Sequence, residues 1–274
     1  MQGSFKTIEL SDADYESGLR FITVKTPHLN GRGDICLYVP EVSAETTNLP
    51  IYILLHGVYG SAWIWAMKGG AHKTAEKLIN NKVIEPAIIA MPSDGLWGDG
   101  SGYLSHTEKD FSAWIVEDVP KAIQENIPQA GDKSPLCIGG LSMGGYGALQ
   151  LGASYPDKFK AISGHSSITK FEEMALFVEE PLEAYELQKP MRDVITVIKK
   201  NQKLLPLLRF DCGKSDELIE GNRLLNQQLL NLKIPHTYEE FEGGHEWPYW
   251  QKHVEKTLRF FDSALPKTSY QNKA

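Results

Sequence analysis

An α/β fold built on a mostly parallel central sheet of about eight strands, with helices on both faces and a small cap insertion, is what this chain predicts. Three observations carry that prediction. Short apolar segments alternate with helix-length ones along most of the chain. Most of the short segments are continuously apolar, as strands buried on both faces of a sheet must be. Between one such segment and a helix rich in small residues lies Gly140-Leu141-Ser142-Met143-Gly144, a spacing that suits a sharp strand-to-helix turn with an exposed serine.

In chain order, 21–25 and 35–39 are β-rich runs separated by Pro, Asn and Gly, predicting an antiparallel pair at one sheet edge. Strands are then expected at 51–55, 87–91, 136–138, 159–163, 207–212 and 236–241. Helices are expected at 71–80, 111–125, 143–155, 216–231 and 247–261. The interval 166–206 breaks the alternation, being rich in Glu and carrying Pro181, Pro190 and Pro206, and is read as a cap or lid insertion. No internal repeat or low-complexity segment interrupts the pattern, and the tail 267–274 is expected to fray.

The 274 residues, 42% of them apolar, suit one large domain spanning 1–274. A net charge of −7 without long blocks of like charge argues against a nucleic-acid partner. No apolar run approaches the roughly 20 residues that span a bilayer, so no membrane partner is expected. The first thirty residues lack the basic start and apolar core of a signal peptide. The expectation is a cytoplasmic protein, or a periplasmic or secreted one from which such a peptide has been removed. Cys36, Cys137 and Cys212 lie in or beside strand-like runs without metal-ligand spacing and are read as buried thiols; no metal is expected.

A serine hydroxyl needs a base, and in this kind of site the base comes late in the chain, after the acid. His245, in Glu242-Gly243-Gly244-His245-Glu246-Trp247, follows the last strand on a glycine-loosened loop and fits that place. His165 precedes the acid candidates, and His56 sits in a strand-to-loop corner where its backbone should matter more than its ring. Asp211 and Asp216 are the candidate acids. Asp216 is preferred, because it occupies a loop from which a carboxylate can turn toward a histidine, whereas Asp211 lies within a strand; Asp216 also suits a helix cap. An oxyanion hole needs two convergent N–H groups. Met143 and Val58 are the candidates, Val58 lying in His56-Gly57-Val58-Tyr59-Gly60, where Gly57 permits a close backbone approach. Trp63, Trp97 and Trp247 are candidate substrate-binding residues, with aspartates beside Trp97 that would suit a phenolic or sugar ester.

Together Leu54-Leu55-His56-Gly57, the Trp63 region, Glu117-Asp118-Val119-Pro120, Gly140 to Ala148, Cys212 to Asp216 and Gly243 to Trp247 resemble the esterase D-like family of α/β-hydrolases. That family includes S-formylglutathione hydrolases, tributyrin esterases, feruloyl esterases and mycolyltransferases, and the resemblance spans nearly the whole chain. It implies the α/β-hydrolase fold, a Ser142, Asp216 and His245 triad, Val58 and Met143 as oxyanion donors, and no cofactor. The expected partner is a small-molecule ester, with homo-oligomerisation left open. The alternatives are a thioesterase of the S-formylglutathione type and a non-catalytic binding protein on the same fold.

Overall fold

Parallel strands need crossovers, and the chain supplies a helix for every one. The structure is a computed structural model and describes residues 6–12, 18–187 and 193–266. Among the described residues one sheet holds nine strands: β1 (Lys6–Leu10), β2 (Leu19–Thr26), β3 (Gly31–Tyr38), β4 (Ile51–Leu55), β5 (Ile88–Pro92), β6 (Leu136–Leu141), β7 (Phe159–His165), β8 (Leu207–Gly213) and β9 (Thr237–Phe241). Their order is β1-β2-β3-β5-β4-β6-β7-β8-β9. β2 and β3 pair antiparallel, as expected, and β3 continues antiparallel onto β5; every pairing from β5 through β9 is parallel. The ninth strand is β1, antiparallel to β2 at the edge. Its sequence, Lys-Thr-Ile-Glu-Leu, has no continuous apolar run, because an edge strand needs little more than its backbone to pair.

Among the described residues eight α-helical segments accompany the strands: α1 (Ile64–Met67), α2 (Ala71–Asn80), α3 (Phe111–Ala113), α4 (Val119–Asn126), α5 (Met143–Ser154), α6 (Val194–Lys200), α7 (Ile219–Asn231) and α8 (Trp247–Ser263). The helix expected at 111–125 is interrupted by a wider i→i+5 turn over Trp114–Asp118. There Trp114 Nε1 donates to Ser93 O at 2.8 Å and Asp118 accepts from His28 Nδ1 at 2.9 Å. The helix expected from residue 216 starts at Ile219, because Asp216 is occupied in the preceding turn.

Two apolar layers result. On one face α3, α4, α5, α6 and α7 bury Phe111, Ile123, Leu149, Ile198 and Leu229; on the other α1, α2 and α8 bury Trp65, Leu78, Val254 and Phe261. The expected cap contains 3-10 turns at Phe171–Leu176 and Leu182–Tyr185 followed by α6. It is anchored rather than perched: Phe171, Met174, Tyr185 and Val197 are buried in the first layer, and Asn201 Nδ2 donates to Ala153 O at 2.8 Å. Residue Pro190 of that interval, and the tail expected to fray, lie outside the described residues.

Cys36, Cys137 and Cys212 are buried free thiols. Burial pushes Cys36 up to about 12 and raises the other two as well. A thiol reacts as its thiolate. The native protein should therefore resist Ellman's reagent near pH 8, while the guanidinium-unfolded chain should titrate all three.

Candidate active site

The parallel strands end on one side of the sheet, and there the loops after β4, β5, β6, β8 and β9 meet. β6 stops at Leu141, and Ser142 takes φ 55° and ψ −121° before α5 begins. That conformation is rare for a residue with a side chain and is kept only where its surroundings enforce it. The enforcing contacts are backbone against backbone. A Cβ on Gly140 would fall 2.2 Å from Gly144 O, and one on Gly144 would fall 2.3 Å from Leu55 O. The turn is further held by Ser142 N–H donating to His165 O at 2.9 Å and by Tyr146 N–H donating to Ser142 O at 3.0 Å. Met143 is the first residue of α5, so its amide has no partner within the helix and lies at the positive end of the helix dipole.

The loop after β9 brings His245 over this turn. His245 Nε2 lies 2.9 Å from Ser142 Oγ, and His245 Nδ1 lies 3.0 and 3.1 Å from the two carboxylate oxygens of Asp216. Since a carboxylate only accepts, Nδ1 carries the proton and Nε2 is left to accept the serine hydroxyl. Asp216 Oδ1 also accepts Leu218 N–H at 2.9 Å, so the same carboxylate that bonds His245 caps the turn before α7. The two roles are compatible. Burial disfavours the Asp216 carboxylate, but the His245 ring and the Leu218 amide outweigh it and hold the carboxyl below its usual range. Phe177, from the cap, stacks on the His245 ring at 5.0 Å between centroids, and Trp250 meets it edge-on, also at 5.0 Å.

The loop 56–60 closes in from β4. A Cβ on Gly57 would sit 3.3 Å from Ser142 Cβ, which measures how near this backbone runs to the serine. Contrary to the expectation that its backbone would dominate, the His56 ring is central to this loop. Nδ1 donates to Gly57 O at 2.7 Å and Nε2 accepts Asp94 N–H at 3.1 Å, which defines one neutral tautomer. Its own carbonyl accepts the Tyr103 hydroxyl at 2.9 Å. Asp94 organises the next loop through Leu96 N–H at 2.9 Å and Ser101 N–H at 2.6 Å. Gly100 lies so close to Met143 Sδ and Val58 Cγ1 that a Cβ there would fall 2.4 and 3.4 Å from them. The Asp, Gly and Ser residues of 94–103 signal a turn; nothing in their spacing says that it braces Val58 and Met143.

Ser142 and His245 open into a cleft of about 520 Å³ walled by Val58, Ile64, Leu141, Phe177, Trp247 and Trp250, with Lys68 and Glu246 adding charge. Of the three tryptophans singled out from sequence, Trp247 lines this cleft. Trp63 stays 47% exposed beside the lining residue Ile64. Trp97 belongs to a separate cavity of about 270 Å³ with His106, Phe111 and Tyr185, because packing against Tyr185 of the cap turns it away. Phe177 and Trp250 are the aromatic residues on the His245 ring. Among the described residues no group of three or more His, Cys, Asp or Glu is placed to hold a metal ion, and no helix is long and apolar enough to cross a membrane.

A mostly parallel sheet with helices on both faces, carrying a serine on a strained β6-to-α5 turn and a histidine after the last strand, defines the α/β-hydrolase class. Comparison with known proteins narrows this. The chain belongs to the family described as "Putative esterase", whose model matches residues 26–261. The acetyl esterase of Caldicellulosiruptor saccharolyticus is 28% identical over 233 residues, covering 78% of this chain and 84% of that protein. The S-formylglutathione hydrolase of Arabidopsis thaliana is 37% identical over 145 residues, 48% of this chain and about half (51%) of that protein. Among solved structures, a ferulic acid esterase superposes with a TM-score of 0.79 at 22% identity, over 90% of this chain and 98% of that one, which shows a common fold. The activity class that follows from the family and its named relatives is carboxylic ester hydrolysis.

Proposed function

We propose that this chain hydrolyses carboxylic esters with small acyl, phenolic or carbohydrate parts through an acyl-enzyme on Ser142. The observation that supports the reading most is the unbroken chain of hydrogen bonds from Ser142 Oγ through His245 to Asp216, at 2.9 and 3.0 Å, opening into the cleft. Ser142 Oγ attacks the ester carbonyl carbon while His245 Nε2 takes its proton. Asp216 keeps the ring in the accepting tautomer and stabilises the imidazolium. The negative charge that develops on the carbonyl oxygen is met by the Met143 and Val58 amides. His245 then protonates the leaving alcohol, the C–O bond breaks, and the acyl group remains on Ser142. Water, deprotonated by the same nitrogen, attacks the acyl carbon and restores the serine. Each proton is handled by His245, so no metal or organic cofactor enters a step. The apolar wall of Val58, Ile64, Leu141, Phe177 and Trp250 suits a compact acyl or aryl group.

Diethyl p-nitrophenyl phosphate should release one equivalent of p-nitrophenol per chain, in buffer containing EDTA, and leave a diethylphosphoryl group on the peptide bearing Ser142. Label on any other residue would overturn the assignment. A second reading, a thioesterase of the S-formylglutathione type, is favoured by the named relative and by Lys68, a cation on the cleft wall that offers a partner to a glutathione carboxylate. Comparing kcat/KM for p-nitrophenyl acetate, methyl ferulate, an acetylated sugar and S-formylglutathione separates the two.

A further inference from the structure

Behind the proposed triad lies a second histidine–aspartate pair, and it is completely buried. Asp211, on β8, accepts His165 Nδ1–H at 3.0 Å and the Tyr249 hydroxyl at 2.7 Å on one oxygen, and Arg209 Nη2–H at 2.8 Å on the other. Arg209 reaches on to Glu239 at 3.0 Å and to Ser163 and Thr257, both at 3.2 Å. Thr257 Oγ1 lies 2.7 Å from His165 Nε2 and 2.6 Å from Ser163 Oγ. The set is internally consistent with one arrangement of protons. His165 donates from Nδ1 and accepts the Thr257 hydroxyl at Nε2, Ser163 donates to Thr257, and Arg209 donates to both hydroxyl oxygens. Burial disfavours a charge at Asp211, but the surrounding donors and the Arg209 guanidinium more than reverse this and keep its carboxyl well below the usual range.

Such a network is an inefficient way to hold a core together. Two buried ions lose their hydration, and an apolar replacement of similar volume often serves stability as well or better. What the network does provide is fixed geometry, and both of its arms end at the triad. The His165 ring is bonded to Asp211, and the His165 carbonyl accepts the amide of Ser142 at 2.9 Å. The main-chain carbonyl of Asp211 accepts Ser166 N–H at 2.7 Å, so β7 is tied to β8 just behind the nucleophile turn. On the other arm, Tyr249 stands in the first turn of α8, four residues after His245, and its ring packs so closely on Gly243 that a Cβ there would fall 2.8 Å from Tyr249 Cδ2. Gly243 O in turn accepts Ser215 N–H at 3.0 Å, next to Asp216.

We infer that Asp211 is a positioning residue for ester hydrolysis, holding the serine turn through His165 and the histidine loop through Tyr249 in one register. The inference rests on the Ser142, His245 and Asp216 reading given above. Removing Asp211 itself risks the fold, so Tyr249→Phe is the informative variant: it deletes one O–H and keeps the ring against Gly243. Titration with diethyl p-nitrophenyl phosphate gives the fraction of active chains, and its time course gives the reactivity of each. Tyr249→Phe should titrate to the wild-type fraction yet phosphorylate on the order of ten- to a hundredfold more slowly per site. Its kcat for p-nitrophenyl acetate should fall in parallel, with KM within about twofold. Tyr238→Phe, which loses a comparable hydroxyl bond to Glu240 at 3.0 Å away from the triad, should react at the wild-type rate. A wild-type rate per titrated site in Tyr249→Phe, or an equal loss in Tyr238→Phe, would overturn the inference. Ser142→Ala separates the two levels: if it still hydrolyses ester at the wild-type rate, the triad reading fails and takes this inference with it, whereas an inactive Ser142→Ala beside an unimpaired Tyr249→Phe removes the positioning role alone.

Discussion

Ser142→Ala should lower kcat for p-nitrophenyl acetate on the order of 10⁴- to 10⁶-fold while leaving circular dichroism and Tm close to wild type. The size of the loss follows from what remains. Without Oγ no acyl-enzyme can form, and residual turnover depends on the Met143 and Val58 amides and on binding alone. The fold should survive because the turn at residue 142 is held by backbone contacts with Leu55, His165 and Gly144 rather than by the hydroxyl. Alanine must still adopt φ near 55°, a cost the serine already bears. Retention of most of the activity, with the same KM, would remove Ser142 from the reaction.

Asp216→Asn should reduce kcat by roughly 10⁴-fold, through the tautomer of its neighbour. The carboxylate can only accept, so it forces the His245 proton onto Nδ1; an asparagine that presents its NH₂ to Nδ1 moves the proton to Nε2, where it points at Ser142 and cannot accept the hydroxyl proton. The pH dependence of stability supplies an independent check. The folded-state pKa of Asp216 is depressed, so its carboxylate stabilises the fold fully above the unfolded-state value near 4, and this stabilisation disappears as pH falls through the lower folded-state value. Any Tm advantage of wild type over Asp216→Asn should be complete at neutral pH and vanish in acid. Asp211→Asn should show the opposite balance. It breaks a buried ion pair, at a cost of about 3–5 kcal/mol in stability, but spares the tautomer of His245 and should lose far less activity. If Asp211→Asn were the more inactive of the two, the acid role would pass to Asp211.

How much of this was legible beforehand differs residue by residue. The Gly140-to-Gly144 spacing could be read directly, because the steric demand it answers arises within five consecutive residues and the two strands beside them. The chain order of Ser142, Asp216 and His245 was likewise open to reading, since strand-to-loop alternation determines which loops end on the same side of the sheet. The interruption at Trp114–Asp118 was not, because its partners, Ser93 and His28, lie far away in the chain. In the sequence an aromatic residue among aspartates makes Trp97 a candidate for a pocket wall, yet the direction of its ring depends on Tyr185, 88 positions later. Phe177 is one of several apolar residues in a segment rich in glutamate and proline, and nothing in the sequence sets it apart from the others.

Asp211 shows the division most clearly. Its place in a strand makes it, from sequence, the less favoured of two candidate acids, and in the structure it bonds His165 while Asp216 bonds His245. Its own task depends on charges and hydroxyls drawn from β7, β8, β9 and α8, which no local pattern brings together. The sequence by itself determined the α/β alternation and the serine turn and nominated Ser142, His245 and, ahead of Asp211, Asp216 as partners, because periodicity, sterics and chain order act over short or regular intervals. Only the tertiary structure decided which aromatics face the cleft, that the His56 ring organises the loop beside the serine, and that a buried carboxylate ties both sides of the site. Those outcomes follow from long-range packing and from the need to satisfy every buried polar atom, and they exist only once the strands have paired.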